Sequence, residues 1–153
     1  MKKLMFVVTI IVQLICFNDQ TVHAFDGAEV FDIQKGEVIK IIKNSANLQS
    51  EVEKWLSSIA GTVGSLKMEP DSGIGLKIEL VPPLKVENQW ITGTVTEVAL
   101  FISEKETYYP TLLIFTKENS VIAVNIQYDL MMFLKKNKLF KPEFNLNNPP
   151  KDK

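Results

Sequence analysis

Glu104 and Glu106 flank Lys105 and stand beside Tyr108 and Tyr109. Paired carboxylates near aromatic rings cleave glycosidic bonds when burial keeps one of the two protonated. The competing reading is a charged loop between two strands with tyrosines at its margin, the commoner use of such residues. The rest of the repertoire is set by absences. Cys16 is the only cysteine, His23 the only histidine, and all seventeen basic residues are lysine. Once the first 24 residues are removed, no Ser-His-Asp or Cys-His nucleophile, no disulfide and no zinc site built on His or Cys remains. No guanidinium fork is present to grip a phosphate or carboxylate. No Ser-x-x-Lys spacing occurs, and Gly73 and Gly75 do not lead into the lysine and helix of a phosphate loop. The Glu69 to Gly73 turn does not continue into a calcium loop. The expectation is no catalytic residue, no metal ligand and no cofactor.

Binding needs less than catalysis. Trp90 with Pro82, Pro83 and Leu84 forms an apolar and aromatic set suited to a ligand-contacting rim, and Tyr108 and Tyr109 add two interfacial rings. The competing use of Trp90 is core packing. Charge supplies a second feature. Seventeen lysines against eighteen acids, a formal charge of -1, give no field for nucleic acid. The charges are unevenly placed, however: residues 135 to 153 carry a net +4, residues 25 to 134 a net -6. Lys135, Lys136, Lys138 and Lys141 could hold an acidic body against an anionic lipid or wall polymer.

The amino terminus reads as a cleaved secretory signal: Lys2 and Lys3, an apolar run from Leu4 to Phe17, a polar stretch, then Val22-His23-Ala24 before a cut ahead of Phe25. The run is shorter than the roughly 20 residues that span hydrocarbon. Ile15 and Gln13 are the wrong neighbours for lipid attachment at Cys16. Use of lysine alone, as an AT-rich genome writes it, associates the chain with a Gram-positive bacterium. The implied division is a signal peptide over 1–24, one globular domain over 25–144 and a disordered polar tail over 145–153. The localisation implied is secreted or associated with the cell surface, with no transmembrane segment after cleavage.

The elements that must position these residues follow from periodicity. Val38, Ile41, Ile42, Leu48, Val52, Trp55, Leu56 and Ile59 recur at three- and four-residue steps, which predicts one long amphipathic helix, or two joined near Asn44, over 35–62. Ser45 or Asn47 would cap the second of the pair. Leu76, Ile78, Leu80, Leu84, Val86 and Trp90 all fall on even positions and Lys77, Glu79, Lys85 and Glu87 on odd ones, which predicts a strand. Pro82 and Pro83 would confine it to a sheet edge, where a partner's strand could add. Strands are also expected over 94–102, 111–116 and 121–126, then a short helix begun by Asp129. The predicted class is α+β: a long amphipathic helix on an antiparallel sheet of about four strands, with a short C-terminal helix. By architecture alone this resembles the cystatin type, and no sequence motif of any named family accompanies it.

These readings imply an exported, non-enzymatic domain that binds a protein or cell-envelope component. The alternatives are a small wall-active hydrolase using Glu104 or Glu106, and a structural protein that self-associates through the proline-broken edge.

Overall fold

The computed structural model of the chain describes residues 26–64 and 69–149. The segment expected to be a signal, with Cys16, His23 and the expected cleavage point, lies outside the described residues. Nine elements follow one another: β1 (Gly27–Asp32), β2 (Glu37–Lys43), α1 (Ala46–Ser57), β3 (Ile59–Thr62), β4 (Ile74–Glu87), β5 (Thr92–Ile102), β6 (Thr111–Thr116), β7 (Val121–Ile126) and α2 (Met131–Lys136). The strands form one sheet in the order β2-β1-β4-β5-β6-β7-β3, with antiparallel neighbours throughout. The two edge strands therefore run in the same direction, and α1 carries the chain from one edge to the other.

This corrects the expected fold class. The described residues form predominantly a seven-stranded antiparallel sheet, and the helices among them are short, at 12 and 6 residues. Among the described residues there is no long helix cradled by a four-stranded meander, so the cystatin-type architecture does not apply. The segment expected to be helical over 35–62 is strand, helix, strand.

The physical reason lies in a β-bulge. Phe31 pairs with Val38 and Val30 with Lys40, which leaves Ile39 as an extra residue on β2. Val38 and Ile41, three apart, consequently pair with Phe31 and Glu29, two residues on the same face of β1. A bulge thus reproduces the spacing that a helix would have. Four β-branched residues within seven, Val38, Ile39, Ile41 and Ile42, favour the extended chain. Helix formation begins only at Ser45, whose Oγ accepts from the Leu48 N–H at 3.2 Å. The buried side chains of α1 are Leu48, Val52, Trp55 and Leu56, one stripe. At Ile59 the chain becomes extended again and pairs with β7.

The edge position expected of β4 holds only for the part beyond the prolines, because its first half is central. From Ile74 to Ile78 it lies between β1 and β5. Beyond that point Leu84–Glu87 pairs with β5 alone, and the two prolines sit in the irregularity where Glu79 faces Glu97 and Leu84 faces Val95. Pro82 and Pro83 thus stand outside the ladder where β4 passes from two neighbours to one, a place that tolerates residues without N–H donors. Thr96 is skipped in the pairing with both neighbours, so Val95 and Val98 are both fully buried.

Both helices cover one face. Leu76, Ile78, Leu80, Val95, Val98, Leu100, Leu112, Ile114, Val124 and Ile126 from the sheet share a single core with the α1 stripe and with Leu130, Phe133 and Leu134. The chain then continues through buried Leu139 and Phe144. Asn145, the first residue of the segment expected to be a disordered tail, is itself buried. Its amide donates to the carbonyls of Glu106 and Tyr108 at 2.8 and 3.0 Å, while its backbone N–H reaches the Ser103 carbonyl. The ordered body runs at least that far.

Candidate functional site

The expected site residues fall in separate places. Leu84 and Trp90 line a cleft of about 690 Å³ between the free half of β4 and the end of α1. Its opposite wall is Leu56, Glu53 and Ser57 of α1 with Ile59 of β3, and Lys85, Val86, Glu87, Asn88 and Gln89 complete the lining. Asn88 builds the corner: its Oδ1 accepts from the N–H groups of Trp90 and Ile91, both at 2.9 Å, and its backbone N–H bonds the Ile91 carbonyl at 2.8 Å. This turn carries the half-buried Trp90, which like Leu84 and Val86 packs at the margin of the core. Pro82 and Pro83 are exposed in the neighbouring irregularity and do not line the cleft.

Tyr108 lies instead in a small cleft of about 190 Å³ with Glu69, Pro70, Asp71, Ser103, Lys105 and Thr107. Burial pushes its hydroxyl pKa up; a hydrogen bond with Thr111 opposes this and the Glu69 charge adds to it. Lys105 and Asp71 form an ion pair across that cleft at 2.8 Å. Tyr109 is half-buried and lines neither space. Glu104 is drawn to Lys141 at 3.9 Å, Glu106 is exposed, and neither lines a cleft described here.

A third cleft, of about 570 Å³, had no counterpart in the sequence reading. It opens between α1, α2 and β2, lined by Ile42, Ser45, Asn47, Leu48, Glu51, Tyr128, Met132, Phe133, Lys135, Lys136 and Asn137. The Tyr128 hydroxyl donates to Glu51 at 3.0 Å, and Lys54 pairs with the same carboxylate at 3.0 Å. Burial first, then the Glu51 bond and charge, raise the Tyr128 hydroxyl pKa. Two of the four singled-out lysines stand at this cleft. Lys135 also lies over the Phe140 ring at 5.1 Å, and Lys141 over Phe144 at 5.5 Å. Lys138 follows α2 with a φ of 55°. The one available signal was the pair Met131-Met132 just before Lys135-Lys136, an apolar and cationic juxtaposition on a single helix.

Among the described residues no group of three or more His, Cys, Asp or Glu is placed to hold a metal ion, and no helix is long and apolar enough to cross a membrane. No family model, curated protein or solved structure matches the chain.

Proposed function

We propose that the chain is an exported, non-enzymatic binding domain acting at or outside the bacterial cell surface, with the Trp90 cleft as its ligand site. The observation that carries this reading is the composition of that cleft. A half-buried indole and the apolar edges of Leu84, Val86 and Ile59 are ringed by Gln89, Glu87, Lys85 and Glu53. An apolar floor with a hydrogen-bonding rim binds an amphipathic or polar ligand by contact and orientation. The export reading is supported by the amino-terminal sequence: cationic start, short apolar run and small-residue cleavage site.

The test is co-sedimentation of the chain from Phe25 onward with lipid-extracted cell wall from the host. Trp90 fluorescence provides a second readout, since the other tryptophan, Trp55, is fully buried. Binding that Trp90→Ala and Gln89→Ala each weaken, with a spectral shift on wall addition, is expected. Wall binding unchanged in both variants would remove the cleft from the account.

A further inference from the structure

We propose that the cleft between α1, α2 and β2 is a second ligand site, for a free amphiphile with one apolar chain and an anionic head. The inference is independent of the Trp90 cleft and of where the chain acts.

Four apolar side chains line this cleft: buried Leu48 and Phe133, half-buried Ile42, and Met132, which is 72% exposed. Ile42 pairs with the core residue Ala28, so it faces the side of the sheet that the helices cover. All four therefore belong to one side of the sheet. The Lys40 ammonium donates to the Asn137 carbonyl just beyond α2, which fixes that end of the cleft against β2. Its volume of about 570 Å³ suits a single small molecule.

Charge decides the head group. Lys135 and Lys136 line the same cleft, and neither is in an ion pair with a described residue. Lys135 lies over the Phe140 ring, a contact that leaves its charge unneutralised. Nor does α2 need either lysine to close its last turn. The Phe133 carbonyl accepts from the Asn137 N–H at 3.1 Å and from its side-chain amide at 2.9 Å, that of Leu134 from the Leu139 N–H, and that of Lys135 from the Lys138 N–H. Glu51, the one acid in the lining, is paired with Lys54 and accepts from the Tyr128 hydroxyl, so its charge is met within the protein. What stays unmatched is apolar surface beside positive charge. A ligand that answers both carries a chain and an anion.

The chain from Phe25 to Lys153, which contains every described residue, is isotope-labelled in its methionine methyl groups and titrated with decanoate below the micelle concentration. The Met132 signal, assigned with Met132→Leu, should shift and saturate, while that of Met131, which does not line the cleft, should move less. Decanol, with the same chain and no charge, should bind on the order of ten-fold more weakly, and so should decanoate to Lys135→Gln/Lys136→Gln. Acetate at the same concentration should leave Met132 unmoved, and Trp90→Ala should bind decanoate as the parent does. Far-UV circular dichroism checks that each variant is folded, and both substituted lysines are exposed. The proposal is overturned by a Met132 signal that does not saturate, by equal affinity for decanol, or by unchanged binding after the lysine substitutions. A response to phosphatidylglycerol vesicles without one to decanoate would seat this face on a bilayer and overturn the free-amphiphile reading. Each of these failures leaves the Trp90 cleft to its own test.

Discussion

Trp55 of α1 and Phe133 of α2 meet edge to face, with ring centroids 5.1 Å apart and planes at 87°. Both are buried in the single core, and this contact ties the crossing helix to the C-terminal one. The Trp55 indole N–H has no hydrogen-bond partner among the described residues. An unpaired buried donor costs free energy that an apolar ring does not. Trp55→Phe should therefore lower stability by less than about 2 kcal/mol, whereas Trp55→Ala should cost about 3–5 kcal/mol through the cavity it leaves. Urea denaturation of the two variants, followed by circular dichroism, makes the comparison.

The turn after α2 tests backbone strain. The Lys138 N–H bonds the Lys135 carbonyl at 3.0 Å and the Leu139 N–H bonds the Leu134 carbonyl at 2.8 Å. This double closure places its left-handed residue at Lys138, with φ at 55°. Glycine adopts that conformation without the side-chain penalty, although it also loosens the unfolded chain. Lys138→Gly should raise stability by up to about 1 kcal/mol, and Lys138→Ala, with the same loss of charge, should give no gain. Thermal melts of both variants separate conformation from charge.

Acid should find Glu118. Its carboxylate accepts from the Thr94 N–H at 3.2 and 3.3 Å, docking the β6–β7 turn onto the start of β5. Backbone donors, its own N–H first and that of Thr94 next, hold the carboxyl below its ordinary 4.5. A carboxyl depressed in the folded state contributes stability above its unfolded pKa and loses it as the pH falls through the folded value. The stability difference between the parent and Glu118→Gln should be constant from neutral pH down to about 5 and shrink below about 4. Denaturant titrations at stepped pH give the profile; a difference that grows toward acid would contradict the assignment.

Asn145 fastens the C-terminal segment to the loop between β5 and β6. Its amide bonds two carbonyls of the β5–β6 loop, those of Glu106 and Tyr108. Asn145→Ala leaves them without that donor and should cost about 1–3 kcal/mol. Amide hydrogen exchange should rise in residues 103–110 and stay unchanged in β1 and β2. Uniform exchange in the variant would mean that the loop does not depend on this clamp.

Local pattern was sufficient for part of this fold. Alternation placed Leu76, Ile78 and Leu80 on the buried face of β4, with Leu84, Val86 and Trp90 at the core margin. Pro110 and the loop over 117–120 bounded β6 and β7, whereas the strand expected from residue 94 begins at Thr92, with Gly93 inside it. Such signals are carried by neighbours within a few residues, because the period-two geometry of an extended chain is local. The same locality explains the failure at β2. Spacing alone cannot distinguish a helical turn from a bulged strand, and Val38 and Ile41 share a face only because β1 leaves Ile39 unpaired.

The sequence by itself determined the missing chemistry: no histidine, cysteine or arginine after residue 24, a uniform set of lysines, and the positions of Trp90, Leu84 and the lysine pair beside Met132. Tertiary structure decided which of these stand together. Leu56 and Ile59 face Trp90 across a cleft, Lys40 reaches Asn137 nearly a hundred residues later, and Glu104 is drawn to Lys141 and not to Glu106. Those juxtapositions depend on strand order and on a helix that crosses from one sheet edge to the other. Both are set by burying one shared core, an energy that belongs to the whole chain and to no segment of it.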